Sequence, residues 1–195
     1  FPFYDDKEAD KLEKKLYGHR SKNLMKTDVQ ETENGYVLEM DLHITKDDRL
    51  VLLHDDTRDR TTDSLYVFGK EGLRPEDLTL EELRKLNIGV SFVDKNGSYP
   101  YKDLHGESVP DTLRILTLEE FLDYSLSRGD FRYIIEIKNG GENGKRALDI
   151  LYATLKERNL LDRVIFGTFK NEITEYASAN YPDLIRSASV KEALE

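Results

Sequence analysis

Short apolar segments of strand length recur along the chain, and in its second half they alternate with segments of helical period. The clearest are YVLEMD at 36–41 and LVLLH at 50–54, which flank a polar turn, and YIIEIK at 133–138. Strands are predicted near Leu16, Val37, Val51, Ile134, Ile165 and Leu184.

Helices are predicted between the later strands. Apolar residues at helical spacing between 148 and 155 mark one helix face, and the Gly/Asn-rich stretch 139–144 predicts a turn before it. A second helix is predicted from Asn171 to just before Pro182, and another begins at Lys191.

The first part of the chain is more polar. Its charged residues 1–15 predict a short helix at a domain edge. Residues 20–34 lack a clear apolar period and predict a short or irregular helix followed by a turn at Asn34-Gly35.

A long polar region, 55–116, predicts a loop-rich insertion within a single domain spanning 1–195. The sequence TLEE forms a capping box at 79–82 and again at 117–120, and each box predicts a helix start. Alternating strands and helices favour an α/β fold with parallel strands and a site at the strand carboxyl ends.

Composition narrows the classes of partner. The 195 residues carry 29 Lys and Arg against 39 Asp and Glu, a net charge of -10, which disfavours nucleic acid and anionic membranes. No apolar run approaches the roughly 20 residues that a membrane span needs. The absence of Cys excludes disulfides and thiolate metal ligands.

Candidate chemistry lies on the strands. Because side chains alternate, Glu39 and Asp41 share one face of their strand, and Glu136 and Lys138 share one face of theirs. Carboxylates that converge repel each other unless they are protonated or bind a cation. Oxygen ligands of this kind suit one divalent cation, Mg²⁺ or Ca²⁺.

Two histidines, His19 and His54, stand at the ends of predicted strands and suit general acid/base roles; a hydrogen-bonded structural role is the alternative for each. His43 either shares the face of Asp41 or leaves the strand for solvent. His105 lies in a Gly/Asn-rich loop and is assigned no chemistry.

The order of these motifs resembles the glycerophosphodiester phosphodiesterase family. The resemblance is carried by Gly18-His19-Arg20, by LEMDLHITKDDRLVLLHDDTRDRTT at 38–62, by TLEEF from Thr117 and by IEIK from Ile135. It implies a TIM-barrel fold and hydrolysis of glycerophosphodiesters to an alcohol and glycerol 3-phosphate with a divalent cation.

The resemblance also implies roles for individual residues. His19 and His54 match the acid/base pair, with His19 favoured as base and His54 as acid. Arg20 and Lys138 match the phosphate contacts, and the metal ligands match Glu39, Asp41 and Glu136.

Three features depart from the family pattern. Ser21 stands where a Gly usually follows the His-Arg pair, and no Pro-Glu-Asn-Thr motif follows. A TIM barrel has eight strands, and six are counted here, so the sequence predicts a barrel incomplete at its C-terminus.

Two other functions fit the same residues. One is phospholipase D-like cleavage of lysophospholipids, which releases a cyclic phosphate. The other is a non-catalytic domain that binds glycerophosphate; the presence of both histidines and all three carboxylates argues against it. In each case the ligand is a small molecule.

Overall fold

The structure is a computed structural model that describes residues 28–32, 35–57 and 61–187. Its strands are β1 (Asp28–Thr32), β2 (Gly35–Ile44), β3 (Leu50–Leu52), β4 (Phe131–Ile137) and β5 (Val164–Gly167). Its helices are α1 (Ser64–Phe68), α2 (Leu80–Leu83), α3 (Leu118–Leu126), α4 (Gly141–Glu157) and α5 (Asn171–Asn180). Single 3₁₀ turns lie at Pro75–Asp77, Gly106–Ser108, Asp111–Leu113 and Leu161–Arg163.

The long strand β2 organises a five-stranded mixed sheet. β4 runs parallel along one edge of β2, and β5 runs parallel to β4. The other edge of β2 is shared, because β1 pairs antiparallel with its first half and β3 pairs antiparallel with its last residues. The predicted parallel α/β arrangement therefore holds for β2, β4 and β5, whereas the described part of the sheet is open.

β1 is a strand in the part of 20–34 that the structure describes, where a short or irregular helix was predicted; residues 20–27 lie outside the described ranges. Asp28–Thr32 forms a strand whose register ends with Thr32 opposite Gly35, so the segment turns back onto β2. A stretch without helical period therefore forms its backbone hydrogen bonds by pairing with β2. The predicted turn at Asn34-Gly35 includes Asn34, which lies outside the described residues.

The main core lies on one face of the sheet. Leu38, Met40 and Leu42 from β2 alternate with polar residues and are almost fully buried, as are Tyr133 and Ile135 from β4. They pack against apolar residues of the three longer helices, which include Phe121, Leu122, Leu148, Leu151, Leu155, Ile173 and Ala177. This layer fixes which side chains of β2 and β4 point to the other face.

The two capping boxes are confirmed: the Thr79 and Thr117 hydroxyls accept hydrogen bonds from the backbone N–H groups of Glu82 and Glu120. The Gly/Asn turn at 139–144 extends only to Gly140, because α4 already begins at Gly141. Asn139 closes the turn by accepting a 2.9 Å hydrogen bond from the backbone N–H of Ile44.

Gly144 allows this early helix start. A Cβ at this position would lie 2.4 Å from the carbonyl oxygen of Asn139 and 2.7 Å from Cδ1 of Ile173. Any side chain there would push α4 away from both the end of β4 and α5.

We expect Gly144→Ala to destabilise the protein by about 1–3 kcal/mol, the usual cost of overpacking, because the nearest atom is rigid backbone. Gly167→Ala is the matched control, since its nearest neighbour is the flexible Ser187 hydroxyl at 3.3 Å. Urea unfolding of both variants measures the difference. Equal stability of the two would contradict the proposed close packing.

The loop-rich insertion predicted at 55–116 is built in its described part from short helices and turns around a second core. This core contains Val51, Leu78, Leu80, Leu83, Leu86, Ile88 and Ile115. Arg114 joins its loops by donating to the carbonyl oxygens of Lys85, Gly106 and Val109. The insertion is anchored to the sheet because Val51 belongs to β3.

The last predicted strand is reduced to one parallel bridge, Phe166 with Arg186. It is held by hydrogen bonds from Phe166 N to Ile185 O and from Ser187 N to Phe166 O, both 2.8 Å. The predicted strand near Leu16 and the predicted helices at 1–15 and from Lys191 lie outside the described residues. No helix in the described ranges is long and apolar enough to cross a membrane.

Candidate active site

The face of the sheet opposite the main core carries the polar side chains that alternation predicted. Glu39 and Asp41 of β2 alternate with buried apolar residues, and Asp41 lies directly opposite Glu136 of β4 in the parallel register. His43 continues this face and is fully buried, which excludes the alternative that it leaves the strand for solvent.

Lys138 joins the two strands at this level. Its Nζ lies 2.9 Å from a carboxylate oxygen of Asp41 and 2.9 Å from one of Glu136. All three side chains are largely buried, with 16% of Lys138, 5% of Asp41 and 17% of Glu136 exposed. The ammonium therefore balances two carboxylates that would otherwise repel each other across the ladder.

These contacts shift the ionisation of Lys138. Burial acts to lower the pKa of Lys138, but the hydrogen bonds and charges of Asp41 and Glu136 outweigh it and raise the pKa above its ordinary value of 10.5. A group whose pKa is raised by folding contributes stability below its unfolded pKa and loses it as pH rises through the folded value.

We therefore expect the wild-type protein to lose more stability than Lys138→Met between about pH 10 and pH 12, on the basis of the ordinary lysine pKa. Chemical unfolding of both proteins at several pH values gives the difference, in which the titration of the other Lys and Tyr residues cancels. Parallel curves would show that folding does not raise the pKa of Lys138.

The same carboxylates were predicted as metal ligands. The donor set fits a hard cation in kind, because Asp41 and Glu136 supply oxygen atoms that already converge on a positive charge. The ranges that the structure describes contain no group of three or more His, Asp or Glu side chains arranged around a metal position. In this arrangement the Lys138 ammonium lies between Asp41 and Glu136, two of the three predicted ligands. The third, Glu39, lies two residues before Asp41 on the same face of β2.

His54 lies close to Lys138 and Glu136. The backbone N–H of Leu53 donates to the carbonyl oxygen of Asp41, so the residue after it is held beside β2. The Nδ1 atom of His54 lies 2.8 Å from a carboxylate oxygen of Asp55. When Nδ1 carries the proton, this contact leaves Nε2 free to exchange a proton with a ligand.

A cleft of about 540 Å³ lies between these residues. One side is formed by the residues from His54 to Thr57, and another by Glu136 and Lys138 at the carboxyl end of β4. Phe169 and Lys170, just after β5, complete it. The volume suits a small molecule, and the location at the ends of parallel strands is typical of α/β enzymes.

The structure thus brings together His54, Glu136 and Lys138 in the cleft, with Asp41 in contact with Lys138. His19 and Arg20, predicted as catalytic and phosphate-binding, lie outside the described residues. Their roles remain predictions.

Sequence reasoning missed two features of the site. Asp55 was given no role, although a carboxylate next to a candidate acid/base histidine is a usable signal. Phe169 and Lys170 were given no role in the site, since an aromatic and a basic residue at the end of a short strand indicate nothing without the fold.

His105, which was assigned no chemistry, has a structural role in the insertion. Its Nδ1 lies 2.8 Å from the buried carboxylate of Asp63, and its ring stacks on Tyr66 with centroids 3.9 Å apart. Asp63 also accepts a hydrogen bond from the backbone N–H of Asn87. These contacts tie three segments of the insertion together.

Comparison with known proteins identifies the fold family. Residues 32–193 match the Glycerophosphoryl diester phosphodiesterase family. The chain belongs to this family. Membership in the glycerophosphoryl diester phosphodiesterase family implies that the described α/β sheet is part of a TIM-barrel-like fold.

Individual relatives agree. A glycerophosphodiester phosphodiesterase of Caldanaerobacter subterraneus subsp. tengcongensis is 34% identical over 134 residues, which cover 69% of this chain and 46% of that protein. One of Bacillus subtilis is 31% identical over 141 residues, covering 69% of this chain and 43% of the relative. The chain therefore spans less than half the length of these two relatives.

Among solved structures, the glycerophosphodiester phosphodiesterase of Agrobacterium tumefaciens superposes with a TM-score of 0.57 at 18% identity. The match covers 82% of this chain and 56% of the other. At this identity the likeness concerns the fold alone.

Proposed function

We propose that this member of the glycerophosphoryl diester phosphodiesterase family hydrolyses glycerophosphodiesters to an alcohol and glycerol 3-phosphate. The observation that supports the proposal is the Asp41–Lys138–Glu136 contact at a cleft that also contains His54. A cationic group and a proton-transfer group facing one small-molecule cleft are what cleavage of a phosphodiester requires.

The phosphate binds at Lys138 in this proposal. Its ammonium stabilises the charge that grows on the phosphoryl oxygens when phosphorus is attacked. Arg20 is proposed as a second phosphate contact, as the family resemblance implies.

His54 acts as general acid. Either water or a hydroxyl of the substrate glycerol attacks phosphorus, the bond from phosphorus to the leaving alcohol breaks, and His54 Nε2 donates its proton to the leaving oxygen. Where the glycerol hydroxyl attacks, water then opens the cyclic phosphate to the monoester. Asp55 orients the ring by its contact with Nδ1. His19 is proposed as the base that takes the proton of the attacking hydroxyl. Over the whole reaction one water is consumed, and one phosphate monoester and one alcohol are formed.

Glu39, Asp41 and Glu136 are proposed to hold one divalent cation, Mg²⁺ or Ca²⁺. When bound, such a cation would neutralise phosphate charge and increase the acidity of a nearby hydroxyl. A TIM-type barrel built on the described sheet is part of the same proposal.

The test is turnover of glycerophosphocholine by the full chain with Mg²⁺ or with Ca²⁺, followed by phosphorus NMR. Formation of glycerol 3-phosphate supports the proposal. A cyclic phosphate from a lysophospholipid would assign the phospholipase D-like reaction instead. Tight binding of glycerophosphate without any turnover would assign a non-catalytic binding role.

A further inference from the structure

The peptide unit between Ile137 and Lys138 is held from both sides. Its N–H group donates a 3.0 Å hydrogen bond to the carbonyl oxygen of Leu42 on β2. Its carbonyl oxygen points the other way, towards the end of β5, and accepts a 2.9 Å hydrogen bond from the hydroxyl of Thr168. Because a peptide unit is planar, bonds on its two opposite edges fix its orientation, and the Cα atom of Lys138 is fixed with it.

The Thr168 hydroxyl takes the place of a backbone donor at this point of the sheet. β5 ends at Gly167, which lies opposite Glu136 in the register, so the paired residues of β5 stop short of Ile137. Ile137 is fully buried, and a buried carbonyl group that lacks a hydrogen-bond donor is unfavourable. The side chain of Thr168 therefore supplies the donor at a position where the pairing of the strands has ended.

The same hydroxyl also organises the loop after β5. It accepts a 3.2 Å hydrogen bond from the backbone N–H of Lys170, two residues further along the chain. Phe169 and Lys170 line one part of the cleft, and Ile137 and Lys138 line another. One hydroxyl group is thus bonded to both parts of the cleft, and it sets their spacing.

We propose that Thr168 is a positioning residue for the reaction, because its hydroxyl holds the end of β4 so that the Lys138 ammonium stays at the phosphate position of the cleft. This inference rests on the proposed function, since it concerns the residue that contacts the phosphate there. The Thr168 hydroxyl donates its proton to a backbone carbonyl group, so it acts through Lys138 and not on the substrate. A displacement of about 1 Å at an active site can lower the rate on the order of 100-fold.

The test removes the hydroxyl at nearly constant shape. Thr168→Val leaves the carbonyl group of Ile137 without this donor, and kcat for glycerophosphocholine should fall on the order of 10- to 100-fold. KM should change less, because Lys138 stabilises charge that grows in the transition state. Thr168→Ser keeps the hydroxyl and should retain most of the wild-type kcat. Thr168→Ala replaces Thr168→Val if that variant does not fold, since a water molecule can then satisfy the carbonyl group without joining it to the loop.

Tyr133→Phe is the matched control. It removes one hydroxyl from the same strand on the core face, where Tyr133 and Ser125 share a buried 2.9 Å hydrogen bond. This variant should have a lower melting temperature and an unchanged kcat. A thermal melt of each variant gives the loss of stability, and the kinetics are measured well below the lowest melting temperature.

Amide hydrogen exchange reports the position of β4 without any ligand. The Lys138 amide belongs to the peptide unit that Thr168 holds, so Thr168→Val should accelerate its exchange relative to the amides of β2. Thr168→Ser and Tyr133→Phe should leave this ratio unchanged.

The outcomes separate the two proposals. Turnover with an unchanged kcat in Thr168→Val, or with an equal loss in Thr168→Ser or Tyr133→Phe, overturns the positioning role and leaves the hydrolytic function standing. No turnover by the wild-type protein overturns the hydrolytic function, and the exchange of the Lys138 amide then decides whether Thr168 positions β4. An exchange ratio that Thr168→Val leaves unchanged overturns the positioning role in either case.

Discussion

His54→Ala should reduce turnover by ~10²–10⁴-fold, the usual range for loss of a general acid or base, while the protein remains folded. The fold should survive because the side chain of His54 is 42% exposed and its described contact is with the adjacent Asp55. Substrate binding should also survive, because Lys138, and not His54, is the proposed phosphate contact. The measurement is kcat and KM with glycerophosphocholine, together with a circular dichroism melt.

A substitution at Asp55 adds a second readout. Asp55→Asn removes the carboxylate that contacts Nδ1 of His54 and orients its ring, so kcat should fall, but by less than in His54→Ala. Asp162→Asn, an exposed carboxylate outside the cleft, is the control. A His54→Ala protein with near-normal kcat would remove His54 from the mechanism.

Removal of the divalent cation should abolish activity and lower the melting temperature. A cation at a hundred times its dissociation constant stabilises the folded state by about 2.7 kcal/mol, which corresponds to about 5–10 °C for a domain of this size. Activity and melting temperature are measured after EDTA treatment and again after addition of Mg²⁺ or Ca²⁺.

Glu136→Gln should remove both responses, since it deletes one ligand charge at nearly constant shape. The relevant quantity is the difference between melts with and without cation, because the substitution also weakens the contact with Lys138 in the absence of metal. Glu175→Gln, an exposed position on α5, is the control. Activity that persists in EDTA would show that the Lys138 ammonium alone balances the carboxylates.

Alternation along the strands was enough to predict which face of the sheet carries the polar side chains of the candidate site. Leu38 and Met40 on one side of β2 require the opposite orientation for Glu39 and Asp41, and the register of β2 against β4 then places Asp41 opposite Glu136. These are local rules of period and pairing, so a sequence expresses them directly.

Other features depended on partners far along the chain. Lys138 contacts Asp41, which lies 97 positions before it, and Glu136, which lies 2 positions before it. The contact with Asp41 follows from the register of β2 against β4, which no local sequence pattern indicates. The segment that contains β1 was predicted as a short or irregular helix because its sequence has no clear period. Its strand conformation follows from pairing with the first half of β2, which the segment itself does not indicate. The early start of α4 depends on the close packing of Gly144 against Ile173 of α5. This contact joins residues 29 positions apart and is not visible in the local sequence.

The position of Val51 also has a consequence for local opening. This residue belongs to β3, pairs with Thr117 and packs into the second core, so the insertion and the strand that leads to His54 share one set of buried contacts. Segments that share a core tend to open together in native-state hydrogen exchange. The amides of the insertion should therefore exchange as one cooperative unit that includes Val51, whereas Leu50 and Leu52 of the same strand belong to the main core with β4 and α4. Changes in the length or sequence of the insertion then act on the mobility of His54 without touching Lys138.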